Sequence, residues 1–473
     1  MQETTPTIVV LGAGLTGLVA AHRLRERLGP DAEIIIADPA DEPGGKLRSV
    51  MMESGPVEVG AEAYLAFRAD ATEYFEQLGL ADQLVEPSGL PSTVYSAGGT
   101  HPMPRDTVMG IPASSEAVGD LVSDEGRSLI DAEVHTSFTW TPGEDRLLGE
   151  LVAERMGREV VDRVVTPLFG GVYSTRADHL GIRATVPQLA HALDALAADG
   201  ADVTLTGAVE RVLSERREAN EARVASTGGV KVPVFRTFRD GYAVLIDALL
   251  ERTEPDLRMG TETGRIVPRN AGGFHVPGVG DADAVVVATP APYAAELLEL
   301  VARDAAGIIG NVDLASSAVV AMRFDDDAGL PENSGVLVAV DGGLSAKAFT
   351  FSSRKWPHLG ERGGAIVRAS FGRFGDDSLV QLSDEELIDL AVTDLATATG
   401  FSTPPAETYV QRWWGGLPRY DAGHAEAMDA VDGLMDEVTG IAAAGAWHRG
   451  PGVPACITDA RRAADTVADA LFD

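Results

Sequence analysis

A single cysteine, Cys456, stands in this chain of 473 residues. An intramolecular disulfide is excluded, which suits a reducing, cytoplasmic location. Positive charge is also short. Lys and Arg together number 38 against 72 Asp and Glu, and only four of the 38 are lysines. The net charge of -34 disfavours nucleic acid and anionic membrane surfaces as partners. It also means that an anionic ligand would need a locally basic pocket. No window reaches the roughly 20 apolar residues of a membrane span, so no integral membrane association is expected. The polar run before the first apolar stretch is too short for a signal peptide. There is no internal repeat or low-complexity tract, and no metal site is expected.

What is present reads as an ordinary globular chain, 45% hydrophobic and 23% charged. Its length suggests two or three domains. The most informative stretch is "TIVVLGAGLTGLVAAH" at residues 7–22. "TIVVL" is a short β-branched apolar run and predicts a buried strand. Gly12, Gly14 and Gly17 follow in G-x-G-x-x-G spacing, and "LVAAHRLRERL" reads as a helix. Gly12 permits the tight turn, Gly14 lets the backbone approach a pyrophosphate, and Gly17 brings helix and strand together. Ala13, Leu15 and Thr16 complete the loop, whose free N–H groups face phosphates at the helix N-terminus. A second strand, "AEIIIADPA", ends at Asp38. That carboxylate lies about 20 residues past the last glycine, where a ribose hydroxyl needs an acceptor. Strand, glycines, helix, strand and acid together predict a dinucleotide site. They do not separate NAD from FAD.

The next residues bear on that choice. "DEPGGKLRS" places Gly44, Gly45, Lys46 and Arg48 soon after the ribose acid. This resembles the second dinucleotide element of FAD proteins of the amine-oxidase and glutathione-reductase type. The resemblance implies FAD, with the two glycines close to the pyrophosphate. It also places Gly60, Ala61 and Glu62 of "VEVGAEAYLAFR" beside the flavin ring, and Thr263 over the adenine.

Three later stretches are more specific: "PLFGGVYSTRADHLGIRATVPQL", "QRWWGGLPRYDAGH" and "AGAWHRGPGVPACI". With them the whole chain resembles the oxygen-dependent porphyrinogen oxidases of the Gram-positive type, within the flavin amine-oxidase superfamily. The implied fold is α/β: a Rossmann-like FAD domain assembled from separated segments, a mixed-sheet substrate domain and a helical insertion. The expected segments are 1–88, 206–295 and 431–473 for FAD, 89–205 for the substrate and helical insertion, and 296–430 for the substrate domain. The resemblance sets Trp447, Gly452, Val453 and Pro454 at the flavin. A helix from about Cys456 would aim its positive end at the ring, and Cys456 itself reads as a small packed residue. Asp240 stands where many members have glycine, which affects that turn.

The implied reaction is a six-electron oxidation of coproporphyrinogen III, with protoporphyrinogen IX as the alternative. Hydride would pass to flavin N5 and a pyrrole proton would be lost. Oxygen would reoxidise the flavin and give hydrogen peroxide. No side-chain base is assigned, and His424 reads as a structural hydrogen-bonder in a strand-like run. Arg68 is the candidate for a substrate propionate, with Arg176 and Arg183 behind it. Transient contact with other haem-pathway enzymes is a further expectation. Carotenoid desaturases and amine oxidases of the same fold, and a non-enzymatic escort that has lost its flavin, stay open as rivals.

Overall fold

A computed structural model describes residues 5–226 and 232–472. Met1–Thr4, most of the polar leading run, lie outside the described residues.

The first sheet is wholly parallel. Its strand order is Asp256–Met259, Glu33–Asp38, Thr7–Leu11, Ala284–Val287 and Ile441–Ala443. The inner strands read as unbroken apolar runs because helices cover both faces. The N-terminal helix Leu15–Leu28 and the closing helix Val453–Phe472 pack together on one face. Arg23 and Arg27 of the first pair with Asp465 of the second at 2.8 and 2.7 Å. The other face carries Val9, Leu11, Val285 and Val287 against the helices Ala291–Leu298 and His424–Met435.

A seven-stranded mixed sheet forms the second layer system. It includes the hairpin Ser92–Ser96/Gly99–Pro102 and the long strands Leu314–Phe324, Ala365–Phe371 and Glu407–Pro418. The hairpin turn is formed by Ala97 at φ 50° and Gly98 at φ 80°. Two positive φ values are what a two-residue hairpin requires.

Helices between residues 124 and 226 build a third core around Leu151, Val164, Phe169 and Leu193. The helix Leu205–Ser226 joins this core through Leu205, Ala208, Val209 and Val212. The expected segment edge at 206 therefore falls inside a helix whose apolar side belongs to the helical unit. The turn at Asp240 is resolved simply. Gly241 carries the positive φ of 82°, so Asp240 needs no glycine.

Candidate active site

Three short backbone runs converge at the C-terminal ends of the parallel strands. The first is the turn from Leu11 into the N-terminal helix. Gly12 adopts φ 109°, and its N–H donates to the Ala37 carbonyl at 2.9 Å. A Cβ at Gly12 would lie 2.6 Å from the Ala288 carbonyl oxygen, and one at Gly17 would lie 1.8 Å from that of Gly12. Both glycines are demanded by the protein itself.

Gly14 is different. Its φ is −75°, open to any residue, and a Cβ there would meet only Gly45 Cα, at 4.0 Å. Nothing in the protein requires glycine at the head of this helix. The space it leaves fits a pyrophosphate, which wants bare backbone and N-terminal N–H groups.

The second run, Gly44–Gly45, lies directly against the first. Gly14 and Gly44 form a parallel bridge, and the Gly44 N–H donates to the Ala13 carbonyl at 2.8 Å. The two glycine elements are thus one cradle. Asp38 closes one end of it. Its carboxylate accepts the Ala13 N–H at 2.7 Å and the Ala40 N–H at 2.8 Å. Thr263 is half-buried beyond the strand Asp256–Met259, which pairs with the Asp38 strand.

The third run is Val59–Glu62, and side chains from the second sheet grip it. Trp413 Nε1 donates to the Val59 carbonyl at 2.9 Å, and Arg368 Nη2 donates to that of Gly60 at 3.2 Å. Gly60 has no room for a side chain, since a Cβ would lie 2.0 Å from the Lys46 carbonyl oxygen. The resemblance sets Glu62 along the ring. Its carboxylate is instead spent inside the protein, on Lys355 Nζ at 2.7 Å, Arg368 at 3.2 Å and Ser352 Oγ at 2.7 Å. Burial alone would raise its pKa. The two cations outweigh burial and bring it to about 2. Glu62 therefore anchors Gly60 and Ala61 rather than presenting a group of its own.

The closing helix begins at Val453, three residues before the expected start, because the Cys456 N–H already bonds the Gly452 carbonyl at 3.0 Å. Pro454 sits in the first turn, where its missing N–H costs nothing. This helix start lies beside Thr16 and Lys46, both of which act on the Cys456 thiol. Lys46 is half-buried, and burial lowers its pKa. Arg48 points its charge elsewhere, pairing with Glu42 at 2.9 Å on the surface. The Trp447 ring is 2% exposed and its N–H is taken by the Thr289 carbonyl. It backs the turn as core and leaves no ring face for a ligand.

Burial raises the Cys456 thiol to about 11. The native protein is expected to resist alkylation around pH 8, and Cys456→Ser to keep its flavin. Fast labelling of the native thiol would contradict this.

Arg68 caps the helix Ala69–Gln77 and is 43% exposed. Asp70 already accepts from its Nε and Nη2, at 3.2 and 2.9 Å. Arg183 is committed to Asp194. His424 begins a helix rather than a strand, stacks on Tyr420 at 4.1 Å and lies 3.3 Å from the His448 carbonyl.

Sequence reasoning missed His448. Its buried ring is sandwiched between Asp459 (Nδ1 to Oδ1, 2.8 Å) and Asp432 (Nε2 to Oδ1, 3.0 Å). The other Asp459 oxygen accepts the Gly445 N–H. The ring thus fastens the turn before the closing helix to two helices. Burial would lower its pKa, but the two carboxylates win and raise it. Its stabilising contribution is full below the unfolded value near 6.5 and fades as pH rises through the raised folded value. The stability gap between wild type and His448→Asn should be widest in mild acid and narrow in alkali. Urea midpoints across pH would measure it, and a gap independent of pH would refute it.

The arrangement is a flavin oxidoreductase site. The family model of flavin containing amine oxidoreductases matches residues 15–468, and the chain belongs to that family. Over 472 residues it is 38% identical to the coproporphyrinogen III oxidase of Mycobacterium tuberculosis, covering 99% of this chain and 98% of that one. The coproporphyrinogen III oxidase of Bacillus subtilis is 27% identical over 492 residues, covering 100% and 99%. Among solved structures, an Exiguobacterium protein assigned as a protoporphyrinogen oxidase superposes with TM-score 0.84 at 26% identity, covering 99% and 100%. Cyclohexylamine oxidase of Brevibacterium oxydans, at 13% identity and TM-score 0.69 over 99% and 100%, shares the fold alone. Among the described residues, no helix is long and apolar enough to cross a membrane, and no group of His, Cys, Asp and Glu could hold a metal ion.

Proposed function

We propose that this oxidoreductase binds FAD and catalyses the oxygen-dependent, six-electron oxidation of coproporphyrinogen III to coproporphyrin III, releasing hydrogen peroxide, in cytoplasmic haem biosynthesis. The observation that carries this is the glycine cradle at Gly14 and Gly45, in a chain similar end to end to coproporphyrinogen III oxidases. Bound FAD would supply the two-electron acceptor.

The chain's own residues would bind and orient. The backbone of Gly12–Gly17 with Gly44, Gly45 and Lys46 would hold the pyrophosphate, Asp38 the ribose and Thr263 the adenine. Gly60, Ala61 and the Gly452–Pro454 turn would border the ring, with the helix N-terminus favouring negative charge there. The nucleotide unit would be drawn from the segments near 1–88, 227–295 and 431–473.

A net charge of -34 suits a water-soluble substrate over one shared with an anionic membrane. The Exiguobacterium neighbour keeps protoporphyrinogen IX as the second reading. Purified protein should be yellow and release FAD on denaturation. With both porphyrinogens under oxygen, kcat/KM should favour coproporphyrinogen III. A preference for protoporphyrinogen would sink the substrate choice, and absence of FAD the whole reading.

Arg68→Ala should lower kcat/KM about 10- to 100-fold with flavin retained, if a propionate competes for the guanidinium that Asp70 now holds. A change under twofold would remove Arg68 from the substrate site.

A further inference from the structure

Lysine is the rarest charged residue here, and one of the four is fully interior. Lys347 is 4% exposed. Its Nζ donates to Ser174 Oγ at 2.5 Å and to the Gly372 carbonyl at 2.9 Å. Both partners are neutral. Lys347 thus clamps the C-terminal end of the helix Thr166–Tyr173 to the end of the strand Ala365–Phe371. The same two segments are joined by the Phe374 N–H, which donates to the Ser174 carbonyl at 2.7 Å.

This junction gathers further positive charge. Arg373 follows Gly372 directly, and Arg176 lies two residues past Ser174. Both are half-exposed. Among the described residues, no carboxylate pairs with Lys347, Arg373 or Arg176, and Arg373 Nε is buried without a partner. Arg373 is lowered by burial first and by Arg176 second, with Asp376 opposing. Asp376 is exposed and its Oδ1 is taken by Ser378. Asp178, near Arg176, is held by Arg158 at 2.6 Å. Neighbouring Arg419 stacks on Phe374 at 4.0 Å, but Asp313 and Asp421 neutralise it. Acids outnumber bases almost two to one in this chain. Two arginines beside a buried lysine, none of them paired with a carboxylate among the described residues, form a site that an anion would complete.

We infer that Lys347, Arg373 and Arg176 form a carboxylate-binding subsite that takes a propionate-class arm of the substrate. This rests on the proposed porphyrinogen reading and supplies the local positive field that an acidic protein needs to hold a polyanion. Ser174, at φ 49°, keeps a strained left-handed turn that delivers its hydroxyl to Lys347.

Burial, then Arg373, brings Lys347 down to about 7. Above that value the neutral amine is favoured, so closing a carboxylate onto it would draw in a proton. Arg373 is the charged group that acts on it directly. Arg176 and Asp376 act on Arg373, Asp178 lies beside Arg176 and His179, and Arg419 and His179 flank the Phe374 ring.

The test is a binding titration of the flavin-loaded protein with coproporphyrin III, its tetramethyl ester and citrate, followed by fluorescence and calorimetry. Arg373→Gln and Lys347→Met should each weaken coproporphyrin binding about 10- to 100-fold and leave ester binding unchanged. Arg303→Gln, an exposed arginine elsewhere, should change neither. Calorimetry in two buffers around pH 8 should show proton uptake on coproporphyrin binding by wild type and none by Lys347→Met. Should Lys347→Met fail to fold, Arg373→Gln, whose side chain makes no hydrogen bond or close ion pair among the described residues, carries the test.

Equal losses for acid and ester, or no loss, would overturn the subsite. Loss of citrate binding alone would mean a carboxylate site that the substrate does not use, and would overturn the assignment to the substrate. If wild type binds no porphyrin yet loses citrate on mutation, the function falls and the carboxylate site stands.

Discussion

Gly14→Val should yield a folded, colourless protein. The cradle contains three glycines in one spacing, but their reasons differ. Gly12 and Gly17 are pressed by backbone oxygens of the chain, at 2.6 and 1.8 Å from where a Cβ would sit. A side chain at either would disturb the strand–helix junction, so loss of flavin there would say nothing about binding. At Gly14 the nearest protein atom is 4.0 Å away and φ is ordinary. A Cβ there has room in the protein, and the branched side chain would stand where the proposed pyrophosphate needs bare backbone. Thermal unfolding without added flavin should fall near the wild-type apoprotein, while bound flavin drops below about a tenth of the wild-type level, a loss of at least 1.4 kcal/mol in binding at matched concentration. A yellow Gly14→Val protein with normal flavin content would refute the placement of the cofactor.

Glu62→Gln should destabilise the protein severely near neutral pH. Its carboxylate lies between Lys355 and Arg368, with side chains 11, 21 and 13% exposed. Removing one partner of a buried ion pair leaves uncompensated charge and typically costs about 3–5 kcal/mol, which is the loss expected for this variant. The pH dependence has a definite sign. Glu62 is depressed to about 2, so its contribution, about 3 kcal/mol, is complete above the unfolded value of about 4.5. It is lost as pH falls from there towards 2. Wild type and variant should therefore converge in acid. Urea denaturation at several pH values would show it, and a difference that persists undiminished at low pH would count against the ion pair as its source. Since Gly60 and Ala61 are held by the same grip, flavin retention should weaken as well.

These two sites differ in how far the sequence announced them. The glycine turn and Asp38 were legible because strand, turn, helix and acid are adjacent in the chain and their spacing is set by local geometry. Val59–Glu62 could be placed by resemblance, but not the reason for it. Lys355, Arg368 and Trp413 reach it from elements about 300 residues further on, and nothing local marks them. Composition held one usable signal. Lysines are so few that three of them, Lys46, Lys347 and Lys355, all prove half-buried or buried. The strand-like reading of His424 fails because Gly423, at φ 84°, turns the chain directly into a helix. The closing helix starts at Val453, three residues before the expected position, with Pro454 in the first turn that suits it.

The first sheet joins residues 7–11 to 284–287 and these to 441–443, and the helix that follows lies on the first helix of the chain. Such pairings make a topology of high contact order, in which loop closure must precede the contacts that reward it. The site, in which the start of the closing helix lies beside Thr16 and Lys46, cannot be complete until residues more than 400 positions apart have met. Flavin is then a ligand of the finished molecule only. Riboflavin shortage would leave nascent chains to sit in near-complete states that expose sheet edges, rather than stalling them early. Supplying the cofactor would draw that pool forward by mass action, so the yield of soluble protein should track flavin supply as well as expression level.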